Sequence, residues 1–207
     1  MLIKICGITR VDDAAAAVEA GAAAIGFIFW PGSPRFVDPY RARAIAATLP
    51  PFVTPVGVFV NQPIDYVRGV ASLVRLGALQ LHGDETPEYA SALSTPIMKA
   101  VTVGGGEPVD RWPSRTTLLL DVHDPVRRGG TGRTIDWGAA AEIAAARRVL
   151  LAGGLTPDNA ADAVARVRPY GIDVSSGVER APGIKDHQRL RALFEALHGS
   201  RDIAARS

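Results

Sequence analysis

Cys6 is the only cysteine in 207 residues, and it ends the first apolar run, Leu2-Ile3-Lys4-Ile5-Cys6, with Gly7-Ile8-Thr9 directly behind it. A thiol without a second cysteine can be neither half of a disulfide nor part of a zinc cluster. It is then either a reactive group at a strand end or a small buried hydrophobe, since free cysteine is among the most buried residue types. Asp121 closes another apolar run, Leu118-Leu119-Leu120. By itself an aspartate there reads as a turn or helix-capping residue. Facing each other, a thiol and a carboxyl make a base and an acid suited to moving protons on a sugar phosphate.

Other residues supply charge and backbone. Arg35, in Ser33-Pro34-Arg35-Phe36, is a fixed cation able to clamp a carboxylate bidentately. The stretches Gly153-Gly154-Leu155-Thr156-Pro157 and Ser175-Ser176-Gly177-Val178-Glu179 are small-residue turns, the kind of backbone that gathers N–H groups around a phosphate. A bare Gly-Gly is more often a terminator of helix or strand, but two such turns, one with adjacent hydroxyls, favour phosphate. Gln80 and His82, in Gln80-Leu81-His82-Gly83, read as polar residues lining the same region, with no proton transfer assigned to either.

These side chains act together only if the chain brings their segments to one place. Short β-rich apolar runs recur every 20 to 30 residues or so, alternating with helix-patterned segments, which is the spacing of βα units. Eight runs are expected as strands: Leu2 to Cys6, Ala23 to Phe29, Thr54 to Val60, Ala78 to Leu81, Ile97 to Val103, Thr117 to Asp121, Val149 to Ala152 and Ile172 to Val174. Most are apolar at consecutive positions, as in Val56-Gly57-Val58-Phe59-Val60, so both sheet faces must be covered. Helix starts are signalled by a capping-box pattern at Thr9 and Asp12, by Asp38-Pro39, Thr86-Pro87 and Thr156-Pro157, and more weakly by Gln62-Pro63. After the fifth strand Gly104-Gly105-Gly106-Glu107-Pro108 leaves room only for a stunted or absent helix. Nothing in the composition divides residues 1–207, so the expectation is one α/β domain, a (β/α)8 TIM barrel with a reduced helix after strand five. Cys6-Gly7-Ile8-Thr9 lacks the glycine fingerprint of an open dinucleotide-binding sheet. In a barrel the chemistry sits just after the C-terminal strand ends, where Cys6, Arg35, Asp121 and the two turns all fall.

Composition narrows the partners. With 47% apolar and 21% charged residues the chain can bury a full core, and Lys plus Arg exceed Asp plus Glu only by 23 to 21. The basic side chains are scattered, so no nucleic-acid footprint is expected. No targeting signal is expected from a start that enters a strand-like run at Leu2, and the longest apolar stretch, Gly21 to Pro31, is short of the roughly 18 residues of a membrane span. The expectation is a soluble, cytoplasmic enzyme, monomer or homodimer.

At these residues the chain resembles the phosphoribosylanthranilate isomerase family of tryptophan biosynthesis. The likeness runs nearly end to end, through Lys4-Ile5-Cys6-Gly7-Ile8-Thr9, Ser33-Pro34-Arg35-Phe36-Val37, Val56-Gly57-Val58-Phe59-Val60-Asn61, Gln80-Leu81-His82-Gly83 and Leu119-Leu120-Asp121. It continues in Gly129-Gly130-Thr131-Gly132 with Asp136-Trp137, Leu151-Ala152-Gly153-Gly154-Leu155-Thr156-Pro157, Asp173-Val174-Ser175-Ser176-Gly177-Val178-Glu179 and Gly183-Ile184-Lys185-Asp186. The resemblance implies an Amadori rearrangement, without cofactor or metal, of N-(5-phosphoribosyl)anthranilate to 1-(2-carboxyphenylamino)-1-deoxyribulose 5-phosphate. Asp121 matches the family's general acid, Cys6 its general base, and Arg35 the residue that binds the anthranilate carboxylate. Gly153, Gly154, Ser175, Ser176 and Gly177 match the phosphate site. Gly130 and Thr131 match a mobile loop whose closure excludes water.

Two departures stand out. Gly32 occupies a position where family members often carry lysine, and His123 to Arg128 is an insertion before the glycine-rich loop. Two rival readings are weaker. A related aminoaldose isomerase of histidine biosynthesis generally uses two aspartates, and Cys6 stands in place of the first. A non-catalytic phosphate-binding barrel would have no need of the Cys6/Asp121 pair.

Overall fold

Strands that are apolar at consecutive positions need cover on both faces, and eight parallel strands obtain it by closing on themselves inside a ring of helices. The computed structural model of the protein describes residues 1–104, 109–121 and 136–204, the side chains of 199–204 excepted. β1 (Leu2–Cys6), β2 (Ala24–Ile28), β3 (Thr54–Phe59), β4 (Ala78–Leu81), β5 (Ile97–Thr102), β6 (Thr117–Asp121), β7 (Val149–Leu151) and β8 (Gly171–Val174) form a closed barrel in chain order. β8 pairs with β1 in the same parallel sense as every other neighbour. Each strand ends within one residue of its expected run.

Outside lie α1 (Val11–Ala20), α2 (Pro39–Ala46), α3 (Ile64–Val74), α4 (Pro87–Ser91), α5 (Trp137–Ala146), α6 (Ala160–Val167) and α7 (His187–Ala204). Between β5 and β6 the described residues hold only a 3₁₀ turn, Val109–Arg111, as the breakers there predict. That sector is covered instead by the buried Trp112. Arg147, at the end of α5, donates to the carbonyls of Val109, Trp112, Pro113 and Thr116 at 2.6–3.1 Å.

Asp38 and Thr86 cap their helices as expected, accepting from the backbone N–H groups of Tyr40 and Tyr89. The other three starts differ, and at Gln62-Pro63 it is Pro63 that holds the N-cap position of α3, without a side-chain bond. Thr9 makes no cap: its hydroxyl donates to Gly183 O at 2.6 Å, and Arg10 holds the N-cap position of α1 without a side-chain bond. The segment after Thr156 turns once before α6 begins, because Asn159 Oδ1 accepts from Thr156 N–H and its amide donates to Gly154 O. The loop after β8 also contains a small antiparallel hairpin, β9 (Glu179–Ala181) and β10 (Ile184–Lys185), that no sequence signal was read to predict.

The strands carry two cores. Ile5, Phe27, Phe59, Leu79, Leu120 and Ile172 face the helices in the large outer cluster, with Phe29 and Phe59 stacked at 5.3 Å. Burying side chains of this size is worth about 1.5–3 kcal/mol each, so this layer holds the barrel closed. Ala24, Val56, Met98, Leu119, Leu150 and Ala152 form a separate cluster that fills the barrel interior.

Candidate active site

Side chains alternate along a strand, so Ile3 and Ile5 in the outer core turn Lys4 and Cys6 into the barrel. The same argument turns Gln80 inward between Leu79 and Leu81, and Asp173 between Ile172 and Val174. Gly26 on the neighbouring strand makes room for two of these groups. A Cβ there would stand 2.8 Å from Cys6 Sγ and 3.1 Å from Lys4 Cε, so any larger residue collides with both.

A buried ammonium needs partners. Lys4, with no exposed surface, donates to Asp173 Oδ1 at 2.8 Å and to Gln80 Oε1 at 2.9 Å. Gln80 Nε2 lies 2.7 Å from His82 Nδ1, and His82 Nε2 lies 3.5 Å from Asp121 Oδ2. The hydrogen-bonded string therefore runs from Lys4, beside Cys6 on β1, to His82, which faces Asp121 on β6 across the mouth. Burial pushes the Lys4 ammonium down, but Asp173 and Cys6 outweigh it and leave its pKa raised. For Cys6 burial dominates in the other sense: it pushes the thiol up, Lys4 draws it back only in part, and the net shift is upward. The net shift favours the thiol form.

Arg35 meets the rim from the β2 side. Its Nε donates to both Glu179 oxygens at 3.0 Å and its Nη2 to Oε2 at 2.8 Å. Glu179 also accepts from Lys185 Nζ at 2.8 Å. Burial raises the Glu179 carboxyl, yet Arg35 and Lys185 together bring it below its usual range. Burial lowers Lys185, which Glu179 offsets only in part. One edge of the Arg35 guanidinium is thus committed within the protein, which leaves the Nη1/Nη2 edge as its other bidentate face.

The two glycine turns lie against each other. Gly153 and Gly154 have φ of 80° and 66°, a region that favours glycine. A Cβ on Gly177 would come within 2.8 Å of the Leu155 carbonyl carbon and closer still to its oxygen, so the β7 and β8 loops touch backbone to backbone there. Ser175 Oγ is buried and has no hydrogen-bond partner among the described residues. It points toward β1, where a Cβ on Gly7 would lie 3.1 Å from it.

Cys6, Asp121, Arg35, Gly153, Gly154, Ser175, Ser176 and Gly177 thus gather on the loops and strand ends of one mouth. Gly130 and Thr131, and the His123 to Arg128 insertion, lie outside the described residues. Lys99, a charged residue inside β5, does not join the site: it packs outward against Glu85 at 3.2 Å and the Trp112 ring. Sequence reasoning missed Lys4, Asp173, Glu179 and Lys185. For Lys4 there was a signal, a charge inside a strand whose two faces both had to be covered. Among the described residues no group of three or more His, Cys, Asp or Glu is arranged to hold a metal, and no helix is long and apolar enough to cross a membrane.

Fold and site define a (β/α)8 barrel with titratable side chains gathered at the C-terminal strand ends, where such barrels place their active sites. The family model described as N-(5'phosphoribosyl)anthranilate (PRA) isomerase matches residues 3–196. The N-(5'-phosphoribosyl)anthranilate isomerase of Pseudomonas fluorescens (strain Pf0-1) is 49% identical over 198 residues, spanning 94% of this chain and 97% of its own. The crystal structure of phosphoribosyl anthranilate isomerase from Thermus thermophilus is similar with a TM-score of 0.88 at 43% identity, over 96% of this chain and 99% of that one. A phosphoribosyl anthranilate isomerase in complex with reduced 1-(o-carboxyphenylamino)-1-deoxyribulose 5-phosphate is similar with a TM-score of 0.85 at 40% identity, over 96% and 100% of the two chains. The chain belongs to the N-(5'-phosphoribosyl)anthranilate isomerase family.

Proposed function

We propose that this chain converts N-(5-phosphoribosyl)anthranilate to 1-(2-carboxyphenylamino)-1-deoxyribulose 5-phosphate, an aldose–ketose isomerisation of tryptophan biosynthesis, with Asp121 as acid and Cys6 as base. The observation that supports it most is the hydrogen-bonded string from Lys4, beside Cys6, to His82, facing Asp121. It supports a reading in which one proton donor and one proton acceptor act around a single mouth. The relative that binds a reduced form of the ketose product adds a ligand of the right size and charge.

The chemistry follows in order. Asp121 gives a proton to the furanose ring oxygen, the C1–O bond breaks, and the nitrogen lone pair forms an iminium at C1. That positive charge acidifies the C2 proton and favours the thiolate nearby. Cys6 acts in its thiolate form, which burial disfavours and the Lys4 ammonium supports. The thiolate takes the C2 proton, the electron pair moves into C1=C2, and the enolamine tautomerises to the ketose. Arg35 holds the anthranilate carboxylate through its Nη1/Nη2 edge, and the paired turns at Gly153-Gly154 and Ser175-Ser176-Gly177 hold the phosphate. Gly130 and Thr131 are proposed to cover the substrate. A thiolate base calls for a reducing compartment, so we place the enzyme in the cytoplasm.

The test is direct. Freshly prepared phosphoribosylanthranilate is given to the purified protein without metal or nucleotide, and ketose formation is followed. Absence of turnover above the spontaneous rate would end this reading.

A further inference from the structure

We propose that His82 is a positioning residue for Asp121: Lys4 and Gln80 lock its ring with the proton on Nε2, and that N–H is directed at Asp121 Oδ2. The inference rests on the isomerase reading, in which Asp121 delivers the first proton. It assigns a task to two polar residues that the sequence showed only as lining.

The lock follows from counting donors and acceptors. Lys4 Nζ has donors only, and it is buried against Gln80 at 2.9 Å, so the Gln80 oxygen must face it. The Gln80 nitrogen then faces His82, and with a separation of 2.7 Å the ring Nδ1 must accept. A neutral imidazole has one N–H, which is left on Nε2, the atom 3.5 Å from Asp121 Oδ2. An imidazolium would set an Nδ1–H against the Gln80 amide protons. Turning the amide over would set those protons against Lys4 instead. Either change leaves two donors face to face in buried space, which is costly. Asp173, bonded to Lys4 at 2.8 Å, anchors the far end of the string.

The consequence falls on the acid. Asp121 Oδ2 then faces a fixed N–H before substrate arrives, which restrains the carboxyl group that delivers the proton. At 3.5 Å the contact is within ion-pair distance but longer than a hydrogen bond, and catalytic contacts of this kind tighten in the Michaelis complex. His82 transfers no proton in this scheme.

Two measurements test it. Nitrogen-15 spectra of histidine-labelled protein without substrate should show His82 with a bare Nδ1 and a protonated Nε2. In Gln80→Glu the new carboxylate still accepts from Lys4 but now also accepts from the ring, so the proton should move to Nδ1. In steady-state assays His82→Leu and Gln80→Glu should each lower kcat about 10- to 100-fold with KM within about twofold, the scale of one charge-assisted hydrogen bond. His82→Gln, whose amide N–H can take the place of Nε2–H, should recover most of the loss. A purely structural role would lower stability without the split between kcat and KM and without rescue by glutamine. The proposal is overturned by an Nδ1–H or doubly protonated ring in the wild type, by a normal kcat in His82→Leu, or by glutamine performing no better than leucine. Lack of turnover in the wild type would instead remove the isomerase reading and with it this role for His82, while the ring signals would still report the tautomer.

Discussion

Gly177→Ala is the smallest change that asks whether the two glycine turns act as one phosphate site. The added Cβ would sit within 2.8 Å of the Leu155 carbonyl carbon and 3.1 Å from Thr156 Cα, and both neighbours are backbone. No rotamer change relieves such a contact, so the β7 and β8 loops must part by on the order of 1 Å. Overpacking of this kind costs about 1–3 kcal/mol. For a chain of this size that lowers Tm by roughly 2–12 °C and leaves the barrel folded at 25 °C. Function should suffer more than stability, because a misplacement of about 1 Å in a binding group can cost near 100-fold. The expected result is a KM raised roughly 30- to 100-fold, and weaker inhibition by inorganic phosphate in the same proportion. Circular dichroism would confirm the fold, and the substrate and phosphate titrations would be run on the same preparation. A variant that loses stability but keeps wild-type KM and phosphate inhibition would refute the idea that this backbone contact shapes the anion site.

Cys6→Ala and Asp121→Asn should each lower kcat by roughly 100-fold or more while the protein stays folded, and near-normal turnover in either would remove that residue from the mechanism. Because burial raises the Cys6 thiol, its alkylation in the ligand-free enzyme should be slow at neutral pH and still accelerating at pH 9. A rate that has already levelled off at pH 7 would mean a lowered, not raised, thiol pKa; turnover by fully alkylated enzyme would exclude a cysteine base. Arg35→Met should cost about 10- to 100-fold in kcat/KM and abolish the preference for the carboxylated aromatic amine over its aniline counterpart, a comparison made with both substrates on both proteins. An unchanged preference would leave Arg35 as the partner of Glu179 and nothing more.

The barrel was legible because its strands are apolar without alternation, as in Leu118-Leu119-Leu120, and because Asp38-Pro39 and Thr86-Pro87 mark helix starts by purely local chemistry. Thr9 shows the limit of that reading. The capping pattern tests only spacing, whereas its hydroxyl bonds to Gly183, 174 residues away. The same limit applies to the site. Cys6 and Asp121 could be found because each closes a run, and strand ends converge in a barrel. Lys4 and Asp173 sit inside runs, where their inward direction and mutual pairing depend on β1 meeting β8. Glu179 and Lys185 were present in matched segments but had no assigned task, since the β9–β10 hairpin that folds one over the other was not foreseen. Its turn, Ala181-Pro182-Gly183, was the available signal.

The sector between β5 and β6 gives the fold an uneven tolerance to mutation. Elsewhere a helix covers the strands, and its backbone bonds are spread over many residues, so the loss of any one side chain leaves the rest in place. Here one guanidinium supplies a donor to four carbonyls at once. Redundancy is replaced by dependence on a single position, and Arg147, which has no part in the chemistry, is a point where one substitution disturbs a whole segment of wall. A helix in that place would have made the residue dispensable.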